Sequence, residues 1–329
     1  MSTSPPSQKA GRAGEPSLAA DLSAVIMSAT PDQPRVLIVP AKQNLQDGLP
    51  SGPLLSEHRT LETALRSWVE QQTALKLGYV EQLYTFGDRD RTKGRARVKG
   101  HALSIAYLAL VRDASPSRMD RAHWRDWYAY LPWEDWREGT PKALKIIEPT
   151  LKAWVRAGGP PLKQFRAERV EMTFGLASGA WSDERVLERY ELLFEASLVP
   201  EAWRERSDEK APARLAPGLP MVLDHRRMLA TAIGRLRAKI KYRPVIFELM
   251  PASFTLLDLQ KTVEALSGIR LHKQNFRRLV ESEGLVEETG EVTTATGGRP
   301  ARLVRFRQKV LVERPAPGVR LPGSKRVSP

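Results

Sequence analysis

Two short runs carry side chains whose types and spacing could do chemistry. In the first, Ser67, Glu70 and Gln71 stand at i, i+3 and i+4, so a helix would set them on one face, with Arg66 just before them. Three carboxylates at that spacing would share one face and could hold a divalent cation; one carboxylate with a hydroxyl and an amide brings too little charge. In the second run, Phe276, Leu279 and Val280 can turn inward, which leaves Lys273, Gln274, Arg277 and Arg278 projecting outward. Guanidinium and amide forks match base edges, and ammonium groups match phosphates, so this face points to DNA.

The elements that position the second run lie between Leu223 and Arg307. A helix is expected after Asp224 and before Pro244, with Leu229, Ile233, Leu236 and Ile240 as one stripe. A second opens near Thr255, buries Leu256, Leu259, Val263 and Leu266, and ends at Gly268. The third covers Lys273 to Glu283, and two β-patterned segments follow, joined through Gly297-Gly298-Arg299-Pro300. Helix, short turn, basic helix and hairpin make a winged helix-turn-helix, with Arg299 at the wing tip facing phosphates. Residues 223–309 hold 17 Lys/Arg against 9 Asp/Glu, a net of +8.

The whole chain agrees with that partner. Its 329 residues carry a net charge of +14 and a pI near 10.1, which favours a polyanion. With 41% apolar residues it can bury a real core, and its length allows two domains. No cysteine is present, so disulfides and thiolate metal sites are excluded. The five histidines (His58, His101, His123, His225, His272) have no ligand spacing, and no metal site is expected. Neither a membrane-length apolar run nor a signal-peptide core is present; a soluble, cytoplasmic, nucleoid-associated protein is expected.

The first run belongs to a different layout. Leu22–Ala29 and Arg35–Pro40 read as strands, Gln43–Glu57 as a Gly/Pro loop and Thr60–Gln72 as a helix with Leu61, Ala64, Leu65, Trp68 and Val69 inward. Tyr79–Phe86 and Ala102–Val111 are further strands around a basic loop holding Arg89, Arg91 and Arg95. That order is α+β. Between His123 and Arg137 the chain is dense in Trp and Tyr, which suits a core or an interface better than a base-stacking surface. Pro141–Arg166 and Asp183–Arg206 read as helices, and Glu201–Pro220 as a linker.

The loop and helix of the first half resemble the Nudix box, G-x5-E-x7-R-E-U-x-E-E-x-G-U with U a bulky apolar residue. Gly52, Arg66, Trp68 and Glu70 match it; His58, Ser67 and Gln71 stand where the family has glutamates, so the box is degenerate. Together the two halves resemble the Nudix-related transcriptional regulators of NAD metabolism, closest to the alphaproteobacterial NAD regulator branch. The residues that carry this are Tyr79–Asp88, Ser104–Val111, Asp224-His225-Arg226, Tyr242-Arg243-Pro244, Phe254-Thr255-Leu256, Asn275-Phe276-Arg277-Arg278 and Gly298-Arg299-Pro300. The resemblance places Asn275 with the DNA-reading residues. It implies a Nudix-like α/β/α sandwich with a helical insertion, followed by a winged helix-turn-helix, and a homodimer on a palindromic double-stranded operator near NAD biosynthesis or salvage genes. It also implies an adenine-nucleotide effector, ADP-ribose, NAD or ATP, and no required cofactor.

Expected boundaries are a disordered tail over 1–17, a Nudix-like sensing domain over 18–112, a helical Trp-rich insertion and linker over 113–222, a winged helix over 223–309 and a flexible tail over 310–329. Tyr84, Phe86 and Tyr107 are expected to flank the nucleotide, with Arg89, Arg91 and Arg95 on its phosphates. Trp124–Trp136 and the helix Arg226–Tyr242 are expected at the dimer interface. A non-catalytic repressor is the leading reading; an active Nudix pyrophosphatase with an accessory basic domain is the alternative, and a protein-interaction scaffold a third.

Overall fold

A computed structural model of the chain describes residues 19–41, 46–87, 102–112, 122–204, 211–294, 300–313 and 317–319. The N-terminal tail, Arg89, Arg91, Arg95 and Arg299 therefore lie outside the described residues.

The first half is built on one sheet. Its main path runs β3 (Asp47–Gly48), β2 (Pro34–Pro40), β1 (Ala19–Ala29), β6 (Ala102–Leu110), β5 (Tyr79–Phe86). The strand β4 (Ser51–Pro53) also pairs with β1, and β7 (His123–Asp126) with β2. Strands β1 and β6 are parallel, in register from Ala19 opposite Ala102 to Met27 opposite Leu110. The period of two along β1 sorts its side chains cleanly. Leu22, Ala24 and Ile26 face one layer, Val25, Met27 and Ala29 the other.

Helix α1 (Leu61–Thr73) covers the first face with Ala64, Leu65 and Val69. Burying Leu65 and Val69 is worth roughly 1.5–3 kcal/mol each. The helix starts at Thr60, whose hydroxyl accepts from the Thr63 backbone while the Thr63 side chain accepts from the Thr60 N–H. It stops where Ala74 turns left-handed. Gly52 on β4 lies flat under the Trp68 indole; a Cβ there would come within 2.3 Å of the ring.

The other face is covered by α5 (His225–Tyr242), which packs across β1 and β5, and by α6 (Leu256–Ser267), which packs across β1 and β2, completing an α/β/α sandwich. The helix after Asp224, expected to open the winged helix, thus packs on the sheet as well as against α6 and the short turn before it. Its stripe of Leu229, Ile233, Leu236 and Ile240 is buried as periodicity predicts, but against the sheet and the helix Val186–Glu195. Between β7 and α5 lie α2 (Leu144–Arg156), α3 (Pro160–Phe174) and α4 (Val186–Glu195), so the insertion is largely helical. The expected boundary at residue 112 is also crossed, because β7 joins the sheet beside β2.

Three more expectations are corrected by packing. In the Trp/Tyr run, Trp127, Tyr130 and Trp133 are fully buried inside this chain, as is the apolar stripe of α5, so these side chains are core and not interface. Residues 211–220 are no loose linker: the Ala216 N–H donates to the Leu198 carbonyl and that of Leu219 to the Ala129 carbonyl. The tail after residue 309 is ordered where apolar side chains find the core, as α8 (Val310–Glu313) and at buried Val319, whose N–H donates to Ile240 O at 2.8 Å.

Candidate nucleic-acid interface and effector site

After α5, a short 3-10 turn (Val245–Glu248) leads to α6 (Leu256–Ser267) and α7 (Lys273–Ser282), then to the hairpin β8 (Val286–Thr293) and β9 (Ala301–Phe306). Helix α6 begins with a capping box. The Thr255 hydroxyl accepts from Asp258 N at 3.0 Å, and the Asp258 carboxylate accepts from Thr255 N at 3.0 Å. It ends at Gly268, whose φ of 75° is left-handed. The turn into α7 is pinned by Glu264, which accepts from Leu271 N at 3.0 Å, and by the Gln260 amide, which donates to Leu271 O. A bridge between Phe254 and Val304 ties the hairpin back to the start of α6.

Phe276 and Val280 are buried under α7, and Leu279 is half-buried, while Lys273, Gln274, Asn275, Arg277 and Arg278 are exposed on its outer side. The Arg278 guanidinium donates to the Asn275 amide oxygen at 3.4 Å. Across the hairpin, Arg302 pairs with Glu288 and Arg305 with Glu287, both at 2.7 Å. Among the described residues Lys273 and Arg277 have no such carboxylate. Among the described residues α7 thus presents unneutralised positive charge along one exposed face.

In the sandwich the box residues divide by role. Arg66 reaches back to Leu77 O, to Gly78 O and to Glu62, and so holds the entry to β5. Trp68 donates to Pro53 O at 2.9 Å, and the Gln72 amide accepts from Ser51 N and donates to Ser51 O, so both grip β4. His58, at the first glutamate position, accepts from Leu55 N through Nδ1 and stands edge-on to Trp68. Glu70 and Gln71 are exposed and Ser67 is half-buried; the Gln71 amide donates to Ser67 Oγ at 3.4 Å.

The three aromatics expected around a nucleotide do not meet. Tyr107 lies in the core under α1, where burial, with the nearby Glu62 charge, raises its phenol pKa. Phe86 lies on the opposite face of the sheet, and Tyr84 stacks edge-on against it at 5.4 Å. A β-bulge between Gln82 and Tyr84 offsets β5 against β6 there. Tyr84, Phe86 and Gly87 instead share a groove of about 390 Å³ with Leu187 and Glu191 of α4 and Arg227 of α5. Arg227 pairs with Glu191 and sits over the Phe194 ring.

Sequence reading missed a buried ionic cluster. Glu134 accepts from Arg189 Nε at 2.6 Å and from Arg237 Nη1 at 2.8 Å, and all three side chains are closed to solvent. One signal pointed there: Arg237 stands four residues after Ile233 on the apolar side of α5.

A Nudix-like α/β/α sandwich followed by a winged helix defines the class of this protein. Residues 246–306 match the family model of the NrtR DNA-binding winged helix domain. The ADPR responsive transcriptional repressor NtrR of Acinetobacter baylyi is 42% identical to the chain over 88 residues, which cover 27% of this chain and 35% of the relative. The fold is similar to that of Shewanella oneidensis NrtR in its complex with a 27mer DNA, at a TM-score of 0.53 and 19% identity over 89% of this chain and 95% of that one. A MutT/nudix family protein from Enterococcus faecalis is similar at a TM-score of 0.50 and 14% identity, over 88% of both chains. Among the described residues no helix is long and apolar enough to cross a membrane.

Proposed function

We propose that this chain is a transcriptional repressor. It binds double-stranded operator DNA through α7 and the wing, and its Nudix-like sandwich senses ADP-ribose or a related adenine nucleotide without cleaving it. The observation that supports this most directly is the exposed, unneutralised basic face of α7 inside a segment that matches the NrtR winged helix. Lys273, Gln274, Asn275, Arg277 and Arg278 are the proposed DNA-contacting residues, with Arg299 at the wing tip. The name of the Acinetobacter relative favours ADP-ribose as the effector over NAD and ATP.

Tyr84 and Phe86, with Arg89, Arg91 and Arg95 of the adjoining loop, are the proposed effector-site residues; Tyr107 is not, because it is sealed on the other face. One carboxylate at Glu70 beside Ser67 and Gln71 leaves metal-bound water unactivated, which suits a sensor whose ligand must persist. The proposed assembly is a homodimer on a palindromic operator of NAD biosynthesis or salvage genes, in the cytoplasm, as in the alphaproteobacterial branch. The test is a gel shift of promoters beside such genes, titrated with ADP-ribose, NAD and ATP, alongside phosphate release in Mg²⁺ and Mn²⁺. A shift that the nucleotide alters, without turnover, is expected. Turnover at the rate of ordinary Nudix enzymes would establish the pyrophosphatase alternative.

A further inference from the structure

The buried cluster around Glu134 joins the two halves of the molecule at one end of α6. Arg237 leaves α5 and donates from Nε to Leu266 O at 3.0 Å, from Nη1 to the Glu134 carboxylate and from Nη2 to the Glu134 carbonyl. The Tyr128 hydroxyl donates to Ala265 O at 2.8 Å and accepts from Arg237 Nη2 at 3.2 Å. The Trp136 N–H donates to Gly268 O at 2.7 Å. Three carbonyls at the C-terminal end of α6 are therefore satisfied by groups from the sandwich half. That end carries the negative pole of the helix, where a guanidinium is favoured.

The chemistry of the cluster makes it a fixed mount. Glu134 meets two arginines, so a positive charge remains over; Leu266 O, with Thr173 O, Ser182 O and Asp183 O, accepts from those guanidiniums. Such a network is satisfied in one arrangement and costly in any partial one. Gly268 closes the seam: a Cβ there would stand 2.4 Å from Glu134 O. The segment that carries Tyr128, Glu134 and Trp136 continues directly from β7, which is paired with β2 in the sheet. Outside it the seam opens into a cleft of about 260 Å³ among Asp32, Arg137, Glu138, Lys261 and Arg270. There the Arg270–Glu138 and Lys261–Asp32 pairs are exposed, and such pairs contribute little.

We infer that Tyr128, Glu134 and Arg237 are positioning residues for the recognition helix. They fix the end of α6, and with it the turn into α7, to the sandwich, and the effector's influence on DNA binding passes through them. This rests on the proposed effector-sensitive repressor. A mount of this kind carries α6 and α7 with the sheet edge as one body, because a close-packed network satisfied in a single arrangement moves as a unit.

The test compares the full chain with its Y128F and R237K variants. Y128F removes one hydroxyl and keeps the ring; R237K keeps a cation and loses the fork. Circular dichroism and thermal melts confirm folding, calorimetry gives ADP-ribose affinity, and anisotropy gives operator Kd with and without saturating ADP-ribose. The expected result is unchanged ADP-ribose affinity, with the effector-induced change in operator Kd reduced at least about threefold in both variants. Folded variants that keep the full wild-type ratio overturn the inference while leaving the repressor reading intact. A wild-type ratio of one removes the effector reading itself, and the inference with it. Hydrogen exchange on the wild-type chain needs no variant: ADP-ribose should alter protection at residues 128–137 and 264–268 together. No change at either segment overturns the inference.

Discussion

Arg277 is exposed on α7 and, among the described residues, has no carboxylate partner, while Arg302 and Arg305 on the wing are neutralised by Glu288 and Glu287. A bidentate guanidinium at a guanine is worth about 1–3 kcal/mol of discrimination. Arg277→Ala should therefore raise operator Kd by that amount and leave binding to a scrambled duplex nearly unchanged. Equal losses on both duplexes would make it a phosphate contact. Arg302→Ala should cost less than Arg277→Ala, since its charge is already neutralised within the hairpin. Burial reverses the scale at Glu134. Removing its carboxylate strands two guanidiniums closed to solvent, and breaking such a pair costs about 3–5 kcal/mol. Glu134→Ala should show that loss in urea unfolding; a shift below 1 kcal/mol, roughly an ordinary surface effect, would mean water replaces the carboxylate.

Local chemistry fixes some elements completely, and α6 is the clearest. Thr255, Asp258 and the left-handed Gly268 mark both its ends, and Thr255→Ala should lower stability by about 1 kcal/mol in a urea or thermal melt. No measurable change would mean that the reciprocal bond from Asp258 carries the cap alone. Such ends, and the apolar spacing of α1 and α7, were legible in the sequence because caps and period are local signals. What covers each face was not. The stripes on α5 and α6 are equally regular and both helices lie on the sheet, α5 across β1 and β5 and α6 across β1 and β2; periodicity names the buried side without naming its partner. The same limit misplaced Tyr107: alternation puts it opposite its neighbours in β6, but which face holds a ligand depends on packing between distant segments. The aromatic run hid a strand and two turns, because Trp and Tyr suit a core whatever the backbone does. Glu134 was invisible for a related reason: a lone acid among tryptophans gains its meaning only from arginines 55 and 103 residues away.

At the scale of the molecule, the charge of +14 and the single short helix α7 set what binding must look like. One such helix spans only a few base pairs, so the proposed repressor is expected to read its site with two copies about one helical turn or a multiple apart. In the segments first suited to pairing, the aromatic run and the helix Arg226–Tyr242, the large apolar side chains are mostly in this chain's own core, which leaves positions such as Arg235 and Tyr242 outward. The expected outcome has two parts. Light scattering at micromolar concentration should give a dimer, and a duplex holding one half-site should bind far more weakly than the full palindrome. Salt dependence then reports how much of the affinity is electrostatic. If two winged helices together neutralise about 6–10 phosphates, affinity should fall roughly 10³–10⁵-fold between 50 and 200 mM salt. Arg277→Ala should leave that slope almost unchanged if Arg277 reads a base, whereas Lys273→Ala should flatten it by about one unit for each phosphate its ammonium neutralises. A monomer that binds half-site and palindrome equally, with a shallow salt slope, would refute the paired reading and leave α7 as a non-specific basic surface.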